Sequence, residues 1–316
     1  MDGVKVLPQA AARTASGGLM RQRTMWAYVF VAAPLLGLLV FFLGPILFTG
    51  WVSLHDWDML SPPSEMPWRG LDNFVHLLTE DDVFGKALAN TFIFAIGGVS
   101  ANVVLGLGLA LLLNGRVRGL TLWRVLYFLP VITAPLALGV IFAFIFNRNY
   151  GLANNLLVTL GLPRQPFLAS PHQALFSIIL IAIYQYVGYY IVIFLAGLQG
   201  IPQDYYDAAR VDGANRWQEF RHITLPLLRP VMLFVIVTNS IGALQVFDLV
   251  FSATAAGTSS AGGPANSTMT IVLYMYNTAF KFSRMGRASA MAFILFVIIM
   301  VITLIQVRLL RDRTNE

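Results

Sequence analysis

One uncharged stretch of the chain carries side chains that an apolar helix does not need: Tyr184, Gln185, Tyr186, Tyr189 and Tyr190. A second carries Asn239, Ser240 and Gln245. Aromatic faces stack on the apolar faces of ring compounds, and amides both donate to and accept from hydroxyls. Together they suit an uncharged, polyhydroxylated solute such as a sugar. Tyr186, Tyr189 and Tyr190 are spaced three and four apart and so share a helical face. Amides facing lipid are costly, so Asn239 and Gln245 are expected to point inward or to water. Thr133 is a weaker candidate, because threonine in an apolar helix also bonds its own backbone. A second interpretation stands beside this one: the tyrosines pack helices together or form an interfacial belt.

Other chemistry is not supported. His55, His76, His172 and His222 are scattered and show no paired ligand spacing. With no cysteine there is neither a disulfide nor a thiolate metal site. No Gly-x-x-x-x-Gly-Lys-[Ser/Thr] phosphate loop occurs, so any ATP must be handled by another chain. No catalytic residue and no metal ligand is assigned.

The elements that hold these residues follow from charge. The 316-residue chain is 57% hydrophobic and 11% charged, against about a quarter charged in soluble domains. A helix needs roughly 20 residues to cross a ~30 Å hydrocarbon core. Six stretches meet or approach that length without a charge: 24–54, 87–115, 125–147, 173–203, 230–247 and 288–307. In lipid the backbone must satisfy itself, so these are expected to be helices. The first is too long for a signal peptide and lacks a nearby cleavage site. Residues 1–24 are expected to form a loose N-terminal tail, 25–308 a membrane domain, and 309–316 a C-terminal tail. Gly97, Gly98, Gly106 and Gly108 crowd the second stretch and are expected to let helices cross closely. By these boundaries no span holds an ionisable residue, which argues against an ion-coupled carrier.

Six spans leave both ends on one side. With the termini in the cytoplasm, 14 Lys and Arg fall inside, among them Lys5, Arg116, Arg118, Arg210, Arg221, Arg311 and Arg313. Seven fall outside, from Arg69 to Arg287. That bias predicts cytoplasmic termini. It also accounts for the net charge of +6 without a nucleic-acid partner. The first external loop is acidic, with Asp56, Asp58, Glu65, Asp72, Glu80, Asp81 and Asp82.

The loop between the fourth and fifth stretches, residues 202–226, has its own punctuation. Pro202 suits a first helical turn, Gly213 the position past a helix end, and Asn215 with Gln218 a capping box. A short helix, a glycine turn and a second helix through Trp217, Phe220 and Ile223 to about Pro226 are predicted. Ala208, Ala209, Gly213 and Ala214 would let another protein approach the backbone. An amphipathic loop lying on the membrane is the alternative from physics alone.

Asp207-Ala208-Ala209, then Gly213, Ile223, Leu225 and Pro226, resembles the Glu-Ala-Ala…Gly…Ile-x-Leu-Pro signature of permease subunits of binding-protein-dependent ABC importers. Asp207 departs from the usual Glu but keeps the carboxylate. Further pieces resemble the carbohydrate subgroup, and within it the first of two paired, maltose-type permeases. They are Gly70-Leu71-Asp72-Asn73-Phe74, Leu129-Pro130, Gln245-Val246-Phe247-Asp248, Gly262-Gly263-Pro264, Thr268, Tyr276, Ala279-Phe280 and Gly286-Arg287-Ala288-Ser289-Ala290-Met291. The segment from Thr254 to Gly263 is longer than that group's usual turn and rich in Gly, Ala and Ser, which predicts a mobile loop.

The resemblance spans roughly residues 25–308. It implies an all-α membrane protein with six transmembrane helices of the type I ABC importer permease fold. Loop 202–226 would be the coupling helix, with Asp207, Ala208, Ala209, Asp212, Gly213 and Ala214 docking on an ATPase subunit. Tyr186, Tyr189, Tyr190, Asn239 and Gln245 would line a sugar pathway. The implied partners are a second homologous permease, two ATP-binding subunits carrying ATP and Mg, an extracytoplasmic substrate-binding protein, and membrane lipid. The implied location is a bacterial inner membrane. A glycerol-phosphate or polyol permease remains an alternative, as does an ion-coupled carrier; a phosphate substrate would favour a cationic cavity, which the spans do not supply.

Overall fold

The computed structural model describes residues 10–115, 119–258 and 261–310. Lys5, Arg116, Arg118, Arg311 and Arg313 of the charge count lie outside these residues, as do 1–9 and 311–316 of the two expected tails. Among the described residues every regular element is helical, apart from an isolated bridge between His55 and Trp68. The chain divides into two compact units, Met1–Val52 and Ser53–Glu316.

The first unit holds α1 (Ala10–Leu38) and α2 (Gly44–Val52), joined through a π turn at Leu39–Leu43. Pro45 has no amide hydrogen to give back to the preceding turn. The π turn closes instead through the Gly44 amide to the Leu39 carbonyl, so the chain passes the proline without a break. From Arg23 to Val52 the path is 30 residues long and apolar enough to cross a membrane. The helix begins at Ala10, inside the expected loose tail. Ala10, Ala11 and Ala12 are the strongest helix formers, and they carry the helix back beyond the span.

The second unit runs α3 (Asp72–Thr79), α4 (Asp82–Leu113), α5 (Leu120–Ile132), α6 (Pro135–Ile145), α7 (Leu152–Thr159) and α8 (Ala174–Gln199). It continues with α9 (Gln203–Val211), α10 (Arg216–Glu219), α11 (Leu225–Leu227), α12 (Arg229–Leu244), α13 (Asp248–Gly257), α14 (Ile271–Tyr276) and α15 (Met285–Leu310). With 32, 26 and 26 residues, α4, α8 and α15 are each long enough to cross as single rods.

The third expected span is not a single rod, and the fifth is preceded by a bend. Helices α5 and α6 meet at 97°, and the segment Arg216–Leu227 meets α12 at 65°. Proline disfavours the helical region for the residue before it. Ala134, which precedes Pro135, is accordingly extended at ψ 130°, and Thr133 at ψ 132°. The 13 and 11 residues of α5 and α6 give rods of roughly 20 and 17 Å, each too short to cross alone. The described residues therefore hold four unbroken membrane-length helices, or six spans if each bent pair counts as one. The fifth stretch ends as helix at Leu244, three residues early; Gln245–Phe247 then turn the chain into α13.

Close backbone approaches fix this arrangement. Gly106 of α4 faces Tyr190 and Phe194 of α8, and Gly97 faces Ile179; Gly98 and Gly108 have open space beside them. A Cβ on Gly188 of α8 would strike the Tyr127 carbonyl of α5, and one on Gly139 of α6 would strike Ser252 of α13. These contacts hold both sides of the α5–α6 bend against α8 and α13.

The end that carries α3 and the start of α4 is stitched by polar groups. Asp81 caps α4 through the Phe84 amide and also accepts from the Tyr274 hydroxyl at 2.7 Å. Burial first, then this bond to Asp81, raises the Tyr274 phenol above its ordinary range. Lys86 donates to the Ala265 carbonyl, and Asn90 donates to those of Asn266 and Met269. Asn73, from the Gly-Leu-x-Asn-Phe piece, is buried and donates to the carbonyls of Ser53 and His55 at 2.8 and 2.9 Å. Gly286 packs on the same His55 carbonyl, where a Cβ has no room.

Acidic residues of the 55–86 loop are used locally. Asp58 accepts from the Ser61 hydroxyl and from the Ser61 and Leu60 amides, which hold its carboxyl at about 2. Helix α13 extends through Gly257, so the first part of the expected mobile loop is helical. The Gly262 amide returns to the Thr254 hydroxyl at 3.1 Å; residues 259–260 lie outside the described residues.

Candidate functional site

Five elements converge on a cavity of about 220 Å³. Helix α4 contributes Gly98 and Asn102, and α6 its first residue, Pro135. Helix α8 contributes Tyr186 and Tyr190, and α12 Asn239 and Gly242. The link into α13 contributes Gln245, Phe247 and Asp248. The cavity exists where it does because α12 stops at Leu244 and α6 starts at the Pro135 bend, so two helix ends face the sides of α4 and α8.

Four of the five residues expected on a substrate pathway thus line one cavity: Tyr186, Tyr190, Asn239 and Gln245. Tyr189 does not line it. Its ring meets Tyr190 edge-on at 5.3 Å between centroids, and the side chain is 40% exposed on a different face of α8. The three-four spacing groups the tyrosines within one arc, but the arc is wider than the cavity. Gln185 points elsewhere and donates to the Thr133 carbonyl at 3.2 Å. The Thr133 hydroxyl bonds the Leu129 carbonyl of its own helix.

The polar lining is not self-satisfied. Asn102 and Asn239 are 2% and 6% exposed. Asn102 Oδ1 and Asn239 Nδ2 have no hydrogen-bond partner among the described residues. Buried amide groups without partners cost free energy, of order 1–3 kcal/mol each. Both residues belong to the lining, and each amide offers both a donor and an acceptor.

The sequence did not point to Asn102, a lone polar residue in an apolar helix. It also placed Asp248 outside the membrane, because the fifth stretch was drawn to stop at the charge. The structure puts that carboxylate in the lining.

On the other side of α8 and α12 lies the loop 202–226. Pro202 stands at the N-cap position, one residue ahead of the first turn of α9. Gly213 has φ +81°, and the Ala214 amide returns to the Ala209 carbonyl at 2.9 Å, closing α9 in the left-handed turn that glycine tolerates. Asn215 and Gln218 form the expected capping box. A π turn at Phe220–Thr224 and the short α11 then carry the chain through Pro226 to the bend before α12.

Tertiary bonds brace the loop. Arg210 Nε donates to Glu219 Oε1 at 2.9 Å, and Nη1 to Asp207 Oδ1 at 3.3 Å. The bond to Glu219 first, then its charge, raises the Arg210 guanidinium above its ordinary range. The hydroxyls of Tyr206 and Thr224 meet at 3.0 Å. Asp207, Ala208, Asp212 and Gly213 are exposed, while Ala209 and Ala214 are half-buried. Tyr205, Val211 and Trp217 present large apolar surfaces beside them. Two helices braced in this way, with small residues and apolar side chains outward, make an exposed knob.

Comparison with known proteins agrees with this architecture. Residues 102–315 match the family described as binding-protein-dependent transport system inner membrane component. The lactose transport system permease protein LacF of Rhizobium radiobacter is 34% identical, over 96% of this chain and 99% of that protein. The trehalose/maltose transport system permease protein MalF of Thermococcus litoralis is 32% identical, over 91% of this chain and 94% of that protein. A crystal structure of a bacterial ABC transporter that imports the acidic polysaccharide alginate contains a chain of the same fold, with TM-score 0.78 and 23% identity over 93% of this chain and 98% of that one. With a family model matched over two thirds of its length and relatives matched almost end to end, the chain belongs to the inner membrane components of binding-protein-dependent transport systems, the ABC transporter permeases.

Proposed function

We propose that this chain is the first of two paired permeases of an ATP-driven importer for a sugar or oligosaccharide. The observation that carries it is the cavity, where Tyr186, Tyr190, Asn239 and Gln245 meet Asn102 and two buried amide atoms await partners. Aromatic faces and neutral amides match a sugar's apolar ring faces and hydroxyls. The lactose and trehalose/maltose relatives support that class of cargo.

A second homologous permease completes the pathway. An extracytoplasmic binding protein delivers the sugar to the outer face. The loop 202–226 docks on one of two ATPase subunits, which bind ATP and Mg and perform the hydrolysis; this chain supplies no catalytic group. ATP closes the ATPase pair and opens the cavity outward, and hydrolysis returns it inward-facing. Both termini lie in the cytoplasm, as the distribution of Lys and Arg favours.

The test uses the assembled complex and the sugar bound by its own binding protein. Asn239→Leu and Asn102→Leu each remove bonds worth roughly 0.5–1.5 kcal/mol, so uptake should fall several-fold. ATPase activity stimulated by the binding protein should be kept, because that signal runs through the loop. Tyr189→Phe should have less effect than either. Loss of assembly with normal uptake per complex would make these residues packing groups and remove the cavity from the pathway.

A further inference from the structure

We propose that Asp248 sets the charge selectivity of the cavity, so that the permease admits neutral solutes and rejects acidic sugars and sugar phosphates. Selection at this point presupposes that the cavity is the transport route, as proposed above. Asp248 stands in the first turn of α13, where the chain leaves the α12 end; it is one of the lining residues and is exposed. The lining contains no Lys, Arg or His. Among the described residues the Asp248 carboxylate has neither an ion-pair nor a hydrogen-bond partner. The start of α13 supplies partial positive charge that favours the ionised form, yet about half a charge spread over the first turn cannot cancel a full one.

The fold itself does not decide the sign of the cargo, since a transporter of an acidic polysaccharide has the same one. What decides it is the charge that a solute meets inside. A cleft lined by one sign with low-dielectric walls changes the local concentration of ions by roughly tenfold or more. A uronate or phosphate entering beside Asp248 would meet like charge and leave Asn102 and Asn239 poorly engaged. A neutral sugar meets the same groups without charge repulsion.

The absence of native cysteine permits a direct reading of that field. Gly242 lines the cavity, and a Cβ there has open space, so Gly242→Cys reports from inside. In the assembled complex its rates are measured with a cationic trimethylammonium and an anionic sulfonate methanethiosulfonate reagent, relative to a free thiol in solution. The expected bias toward the cation is roughly tenfold or more. Adding Asp248→Asn should bring the ratio near that of the free thiol, and Asp248→Glu should preserve it. An unbiased ratio with Asp248 present overturns the proposal even if Asp248→Asn fails to assemble. A bias that survives Asp248→Asn also overturns it.

A small neutral methylating thiosulfonate on Gly242→Cys provides the separate check. If uptake stops while the ratio is unbiased, the route stands and the charge selection alone falls. If uptake continues at full rate on the modified complex, the cavity is not the route and both fall.

Discussion

Arg210 Nε and Glu219 Oε1 lie 2.9 Å apart across the Gly213 turn, joining α9 to α10. Glu219 is only 9% exposed, so its charge is held in a half-closed site by one guanidinium. The same guanidinium reaches Asp207, the carboxylate of the permease signature. The knob that would receive motion from an ATPase is therefore braced from within, and its signature carboxylate is part of the brace.

Breaking the brace should uncouple the permease without unfolding its spans. Arg210→Met leaves Glu219 buried without its cation, and Glu219→Gln removes the charge from the other side. Each should lower uptake several-fold while the assembled complex persists. The double exchange Arg210→Glu with Glu219→Arg should recover part of the loss. Uptake and stimulated ATPase activity on one preparation check this; unchanged coupling in both single variants would make the pair incidental.

Gly213 should tolerate no branched or bulky side chain. At φ +81° a non-glycine residue costs roughly 1–2 kcal/mol, and Gly213→Leu also adds bulk on the exposed docking face. The variant should insert normally and lose transport. Asp207→Lys should likewise uncouple, whereas Asp207→Glu should be tolerated. Co-purification of the ATPase subunit with each variant is the measurement, and full retention with Gly213→Leu would contradict the docking role.

The corner around the His55 carbonyl should depend on Asn73 and Gly286. Asn73→Leu leaves the Ser53 and His55 carbonyls without their side-chain donor, a cost of roughly 1–3 kcal/mol if water cannot enter. Gly286→Val drives a side chain into the His55 carbonyl and should be worse. Thermal unfolding in detergent should show both losses, in that order. Equal stability of Gly286→Val and the parent would contradict the packing described for this corner.

Topology is testable because the chain has no thiol. Ser64 and Asn114 are both exposed and, with cytoplasmic termini, fall on opposite sides of the membrane. Ser64→Cys should react with an impermeant reagent added to intact cells, and Asn114→Cys only after lysis. The reverse pattern would invert the orientation.

What the sequence made legible was whatever is decided locally. The turn at Gly213 and the capping box of Asn215 and Gln218 depend on residues within a few positions of one another, and both were readable. The run 125–147 looked like one rod because a search for gaps between charges measures length alone. Pro135 sat in that run with its effect on Ala134 unweighed. The charge of Asp248 bounds the fifth uncharged stretch, so charge spacing alone leaves this residue of the cavity lining outside it. The Arg210–Glu219 brace and the unpartnered amides of Asn102 and Asn239 depend on how helices face one another. Spacing along one helix does not contain that information.

The central claim is ATP-driven uptake through this chain. The decisive measurement reconstitutes the purified complex, with the partners that co-purify, into sealed vesicles with the binding-protein face outward. Uptake of the sugar held by the co-purified binding protein is followed with ATP and Mg trapped inside. Accumulation that requires internal ATP, and that Gly213→Leu abolishes, is the predicted result. Uptake that proceeds without ATP on an ion gradient, or a preparation in which no ATPase subunit accompanies the chain, would contradict it.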